Sequence, residues 1–317
     1  MSIARVDSKR ETPQRVSARR WRFPRAAFLI SLLALVGVLV LLYPTTAAWF
    51  SQYNQSRVIE MVEGAVQKGP SSRLEAEIER ARDYNDALVG GALVEPNTSV
   101  PTGTGASGSA DAYESLLRAD AEGAMARLRI PAIGVDLPIY HGTSEQTLQR
   151  GVGHLQGTSL PVGGASQHSV LTAHRGLASA ELFTQLDKVG VGDTFTIEVF
   201  GEVLTYRVRD TRVVDPDQTE SLYPSYGEDL VTLVTCTPLG INTHRILVTG
   251  ERVTPTPVAD VERAGDRPDI PGFPWWAVGL GATLLLLSAY VWRAGATRRS
   301  EQTDFTRDDP GGVPTRA

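Results

Sequence analysis

The chain has a single cysteine, Cys236, in 317 residues, so no internal disulfide can form. A lone thiol in an exported protein is either inert or kept for its reactivity. Histidine is also scarce, with five residues. These are scattered without the spacing a zinc site needs, so neither a metal nor another cofactor is expected. No charge sign dominates: the net charge is -5 with signs intermixed, which excludes the basic footprint of a nucleic-acid binder. No internal repeat is visible.

Two long apolar runs are present, each of about 18 residues. Ala26 to Tyr43 follows a basic leader with Arg15, Arg19, Arg20, Arg22 and Arg25. Trp275 to Trp292 precedes Arg293, Arg298 and Arg299. Both lie near the lower length limit for a membrane-spanning helix. With positive charge at the outer flank of each, the positive-inside rule puts both termini in the cytoplasm and residues 44–274 outside. A cleaved signal peptide is the competing reading of the first run, since Thr46 and Ala48 are small residues at cleavage positions. A buried core helix competes for the second, against its flanking Trp275, Trp276 and Trp292.

Between the runs, Val58, Met61, Val62 and Ala65 recur at helical spacing until Gly69-Pro70. Ser72 and Glu75 form a capping-box pattern for a second helix, with Leu74, Ile78, Ala81, Asn85 and Leu88 on one face and Gly90-Gly91 as its end. Residues 95–110 are rich in Pro, Gly, Ser and Thr and predict a mobile loop. A short helix at 111–122 follows. From Ala126 to Val253 the pattern is strand-like, with runs at 126–130, 135–139, 168–173, 194–199, 204–209, 211–214, 230–236 and 245–252. One internal helix is expected near 180–188, and Gly201-Glu202 suggests a type II′ hairpin. So many short strands make a mainly β barrel or sandwich. Residues 254–274 carry five prolines and read as a stiff linker.

Cys236 ends the run Val231–Cys236, and Arg245 opens the next, Ile246–Thr249. Turn formers lie between, so the two strands pair antiparallel and bring thiol and guanidinium to one end of the sheet. A thiol becomes a strong nucleophile as thiolate, beside a base or a positive charge. His174, at the end of the strand Ser169–Ala173, is the best candidate base. His141 and His154 sit beside glycines in turns, His168 at a strand entry, and His244 on the face opposite Arg245. Two plainer readings stay open: Cys236 as a buried core thiol, and Arg245 in a surface salt bridge.

The stretch Thr232-Leu233-Val234-Thr235-Cys236-Thr237-Pro238, followed by Asn242-Thr243-His244-Arg245, resembles the signature of sortases. More narrowly it is similar to the class C, pilin-polymerising sortases of Gram-positive bacteria. Ile130-Pro131-Ala132-Ile133, Pro138 through Thr143, Gly151-Val152-Gly153-His154, Gly157 through Pro161 and Leu171 through Leu177 extend the likeness. The resemblance implies a closed eight-stranded β-barrel with short helices and a cysteine transpeptidase site. In it His174 would be the general acid/base, Cys236 the thioester-forming nucleophile and Arg245 the oxyanion and substrate contact. The implied substrate is a Leu-Pro-x-Thr-Gly-like sorting signal, and the implied acceptor is a lysine of the next pilin subunit. Two alternatives stand beside this: a sortase that anchors proteins to the cell-wall precursor, and a non-catalytic surface binding module. One departure is clear. Tyr84 through Leu88 matches the helix before the class C lid, but Glu95-Pro96-Asn97 lacks the Asp-Pro-aromatic plug.

The expected organisation is a leader at 1–25, a transmembrane helix or signal peptide at 26–43, and a helical and lid segment at 44–125. The barrel follows at 126–253, then the linker at 254–274, a second transmembrane helix at 275–292 and a tail at 293–317.

Overall fold

The computed structural model describes residues 21–88, 110–119 and 123–296. Of the expected loop at 95–110, Ala110 begins α3 and the rest lies outside the described residues, as do Gly90-Gly91 and the outer arginines Arg15, Arg19, Arg20, Arg298 and Arg299. The elements run α1 (Arg25–Lys68), α2 (Ser71–Ala87), α3 (Ala110–Ser115), β1 (Ala124–Ile130), β2 (Val135–His141), α4 (Glu145–Arg150), β3 (Val152–His154) and β4 (Gln167–Thr172). They continue with β5 (Thr194–Val199), β6 (Glu202–Val214), β7 (Asp229–Thr237), β8 (His244–Arg252), α5 (Val258–Glu262) and α6 (Trp275–Gly295). The described residues form two compact units, one holding Trp21–Leu41 and Ala277–Ala296, the other those between Leu42 and Trp276.

In the first unit, the apolar parts of α1 and α6 are long and apolar enough to cross a membrane, with mean hydropathy of 2.7 and 1.5. Their basic ends meet: the Trp21 indole donates to the Trp292 carbonyl (3.2 Å) and the Arg22 amide to the Gly295 carbonyl (3.1 Å).

The second unit is built on a closed barrel in the order β1-β2-β3-β4-β7-β8-β6-β5. Closure leaves no edge strand to template aggregation. The β2/β3 and β4/β7 pairs are parallel and the other neighbours antiparallel. Alternation sends Leu128, Ile139, Leu171, Ile197, Tyr206, Leu233 and Val248 into the interior, where all are buried. Phe195 stacks on Tyr206 with centroids 5.5 Å apart. Gly250 makes room for that pair, since a Cβ there would lie 2.5 Å from Phe195 Cε1.

Several expectations change. The runs at 204–209 and 211–214 are one strand, β6, with a register shift between Val208 and Asp210. The eighth strand is instead the three-residue β3. The helix expected near 180–188 is a turn followed by one 3-10 turn at Leu186–Lys188; Leu182 at φ 42° lies in the left-handed region and interrupts right-handed helix. The β5–β6 loop is Phe200-Gly201, both at positive φ, which is a type I′ rather than a type II′ pattern. No capping box forms at α2, whose N-cap is Pro70 without a side-chain bond. The first apolar run and the following helix are continuous in α1, with Pro44 inside it. Its buried face is Gln55, Ser56, Ile59 and Val62, while Met61 is exposed. The predicted helix at 111–122 is the shorter α3.

Residues 254–274, the expected stiff linker, bond to the barrel through backbone carbonyls. Arg127, 3% exposed, grips Asp136 with two bonds (2.7 and 2.6 Å), donates to the Asp266 carbonyl (2.7 Å) and pairs with Glu63 of α1. Arg129 donates to the Arg263 and Asp266 carbonyls (2.8 and 2.9 Å) and pairs with Glu198 at 2.9 Å. On α2, buried Asn85 both donates to and accepts from the Leu160 backbone (3.0 and 2.7 Å). Removing one partner of a buried ion pair leaves an uncompensated charge, at a cost of about 3–5 kcal/mol. Arg127→Met is therefore expected to lower the melting temperature by roughly 6–20 °C. Arg209→Met, which breaks a half-exposed pair with Glu228, should cost at most about 1 kcal/mol. Equal melting temperatures for the two variants would refute the anchoring role of Arg127.

Candidate active site

The β7–β8 hairpin pairs antiparallel with Cys236 opposite Arg245. On the other side β4 pairs parallel with β7, Thr172 opposite Val234. Continuing that register by two residues sets His174 level with Cys236. The thiol, imidazole and guanidinium thus occupy one row across three adjacent strands, on the outward face. Neighbouring strands lie about 4.8 Å apart, so each side chain can reach the space above its neighbour.

All three line one groove of about 360 Å³. Thr172, Val234 and Leu247, one side-chain repeat down the same strands, form its floor with Val170, two repeats down. One wall is the N-terminus of α4, and the other is the segment Val214–Leu222 after β6. Cys236 is half-buried, which fits neither a core thiol nor a fully exposed one. Arg245 forms no salt bridge among the described residues. Its Nη1 donates instead to the carbonyls of Asn242 (3.0 Å) and His244 (3.1 Å), tying the guanidinium to its own hairpin end.

His174 Nε2 lies 3.2 Å from both carboxylate oxygens of Glu145. Glu145 opens α4 behind the cap made by Ser144, whose side chain accepts from the Thr147 amide. The Gln149 amide and, second, His174 hold the Glu145 carboxyl below its ordinary value. Sequence reasoning passed over Glu145, because nothing in the spacing of 145 and 174 predicts their contact. The available signal was the Ser144-Glu145 helix start close to the glycine-rich strand.

The other histidines do not join this row. His244 is exposed, 3.3 Å from Asp215. His141 lies between the carbonyls of Gly123 (3.0 Å) and Leu116 (2.8 Å). His168 is buried between the Tyr223 carbonyl and the Thr232 hydroxyl. His154 lies in β3 rather than in a turn. Its Nε2 donates to the Ser159 carbonyl (2.9 Å), so its Nδ1 accepts from the Tyr113 hydroxyl (2.8 Å).

A closed barrel that carries a thiol, an imidazole and a guanidinium in one external groove defines the class of molecule. The comparisons narrow it. The Sortase domain model matches residues 128–253. Among solved structures, sortase C-1 of Actinomyces oris is 48% identical, covering 57% of this chain and 98% of that one, with a TM-score of 0.52. Sortase C of Streptococcus pneumoniae is 40% identical, covering 64% of this chain and 100% of that one, with a TM-score of 0.57. Among curated proteins, sortase D of Bacillus subtilis is 30% identical over 40% of this chain and 63% of its own length. The chain thus spans less than two thirds of that relative, and 51% of sortase A of Streptococcus agalactiae. The chain belongs to the sortase family of cysteine transpeptidases, and its structural neighbours include class C sortases.

Burial pushes the His154 imidazole down from 6.5 to about 4, and burial also lowers His141 and His168. A folded-state value below the unfolded one means that the unfolded chain binds the extra proton. The neutral ring therefore contributes stability above about pH 6.5, and this is lost as pH falls through about 4. For His154 alone the difference is roughly 3 kcal/mol. Melting temperature should drop steadily from pH 7 to pH 4; a flat profile over that range would contradict the buried neutral ring.

Proposed function

We propose that this chain is a membrane-anchored transpeptidase that joins pilin subunits through a thioester on Cys236. The observation that carries the reading is the single groove lined by His174, just past the end of β4, Cys236 of β7 and Arg245 of β8. The sulfur attacks the Thr carbonyl carbon of a Leu-Pro-x-Thr-Gly-like signal. Arg245 donates to the oxyanion that forms, and His174 delivers a proton to the departing Gly amine. The acyl group is then held as thioester. A lysine amine attacks the same carbon, His174 takes its proton, and the sulfur leaves as the isopeptide bond forms.

The acceptor assignment draws on the class C neighbours, of which the Streptococcus pneumoniae enzyme is described with pilin substrate specificity. The membrane assignment draws on two apolar helices whose basic ends meet at Trp21, Arg22 and Gly295. Arg22, Arg25 and Arg293 then flank the cytoplasmic side, leaving the barrel outside. At the other end, Trp49 packs against Trp276 (6.1 Å between centroids) and Tyr53 (5.5 Å), the residue type enriched at membrane interfaces.

Incubation of the chain with a sorting-signal peptide should give a mass shift on Cys236; no adduct would favour the surface binding module. Adding a pilin domain or a wall-peptide amine then distinguishes polymerisation from wall anchoring. With no second thiol in the chain, Cys236→Ala should abolish transfer while leaving the melt unchanged, and residual product would refute the nucleophile. Arg245→Lys retains the charge and loses the planar fork. Turnover should fall on the order of 10²–10³-fold if Arg245 serves the oxyanion; near-normal turnover would remove it from that role.

A further inference from the structure

The backbone pairing that aligns His174 with Cys236 stops short of both residues. β4 ends at Thr172, and the next bond between the two chain segments, from the Ala173 amide to the Val234 carbonyl, is long at 3.3 Å. Beyond it, two side-chain bonds continue the ladder. The Thr235 hydroxyl donates to the Ala173 carbonyl at 2.8 Å. Arg175 Nη1 donates to the Thr237 hydroxyl at 2.9 Å. The two neighbours of Cys236 are thus bonded to the two neighbours of His174.

Arg175 is itself held on its remaining donors. Nε donates to the Thr184 carbonyl at 3.1 Å and Nη2 pairs with Asp187 at 2.9 Å, and the Arg175 side chain is 9% exposed. The same loop also ties back the main chain on either side of Arg175. The Phe183 amide donates to the His174 carbonyl at 3.1 Å, and the Gly176 amide to the Thr184 hydroxyl at 3.0 Å. Alternation puts Arg175 and Thr237 on the face opposite the groove, so this guanidinium does not share the space proposed for substrate. A buried cation with all three of its nitrogen positions engaged is costly to place and rigid once placed.

We propose that Arg175 is a positioning residue that holds His174 in line with Cys236 through Thr237, in place of the backbone ladder that has ended. The inference rests on the transpeptidase reading, since it gives His174 and Cys236 a joint task. Removing the staple leaves the groove and Arg245 intact, so substrate binding should survive while proton transfer to and from the reacting centre is misaligned. Misplacement of about 1 Å can cost on the order of 10²-fold.

The test uses the full chain in detergent micelles with a Leu-Pro-x-Thr-Gly peptide and a lysine-side-chain amine acceptor. Arg175→Met should lower kcat on the order of 10²-fold with KM within about threefold of wild type. Arg175→Lys, which can reach one partner but not three, should recover part of that loss. Thr237→Val deletes one hydroxyl at nearly constant volume; it should lower kcat by about tenfold, and by much less when added to Arg175→Met, because the two act through one bond. If Arg175→Met melts early, the Thr237→Val result decides. A wild-type kcat in Thr237→Val, a parallel change of kcat and KM in it, or full additivity of the two substitutions overturns the inference. Absence of a wild-type Cys236 thioester would instead sink the transpeptidase reading and the inference with it. A wild-type thioester with unaffected Arg175 and Thr237 variants would sink the positioning role alone.

Discussion

The parallel pairing of β4 with β7 is the constraint on which the site depends. A β-strand alternates faces with a period of two, so a one-residue slip sends every side chain to the other side. Slipped by one, β7 would turn Cys236 into the barrel interior and expose Leu233, whose row with Leu171 and Val248 is buried. The hydrophobic core therefore sets the chemical row: keeping Leu171, Leu233 and Val248 inside keeps His174, Cys236 and Arg245 outside. Closure of the barrel strengthens this, because β4 and β7 are each paired on both sides and cannot slide independently.

Much of that arrangement is legible in sequence because its signals are local. The alternation in 194–199 and 204–208, the turn residues after Cys236 and the strand ending at His174 each fall within a short window. What depends on distant partners was not legible. β3 is three residues long, holds Gly153 and follows Gly151, and it is a strand only because β2 and β4 lie on either side. Arg127 and Glu63 are 64 positions apart, and Glu145 and His174 are 29 apart. No periodicity joins such pairs. Arg175 fell only within the Leu171–Leu177 stretch, just past the strand that ends at Ala173, although that end is where a side chain takes over from the backbone ladder. The helix expected near 180–188 is interrupted at Leu182, whose left-handed backbone propensity scales do not anticipate.

Buried charge in this chain concentrates where segments remote in sequence must be joined. Arg127 and Arg129 bring together α1, the first two strands, β5 and the segment after β8. Arg175 joins the chain after β4 to the end of β7 and to the loop before β5. An apolar contact tolerates sliding by an ångström or more. A guanidinium with its donors directed at carboxylate, carbonyl and hydroxyl oxygens does not, because a small displacement breaks several bonds at once. Arginine suits both places for that reason.

The position of the groove follows from the same economy of space. The barrel interior is filled by Phe195, Tyr206 and aliphatic side chains, with Gly250 needed to admit the stacked pair, so no polar cavity can open there without loss of packing. Reactive groups can stand only where strands end and their outward faces meet long connections. β4 and β7 end, and β8 begins, at one rim of the barrel. The connections before β3 and after β6 rise on either side of it. A thiol placed there is half-buried: dry enough on its floor of Val170, Val234 and Leu247 to strengthen the interactions made by neighbouring charges, and open enough above for a peptide to enter. Strand number and register thus determine which end of the barrel can hold the chemistry, and side-chain staples at that end determine how tightly its parts are aligned.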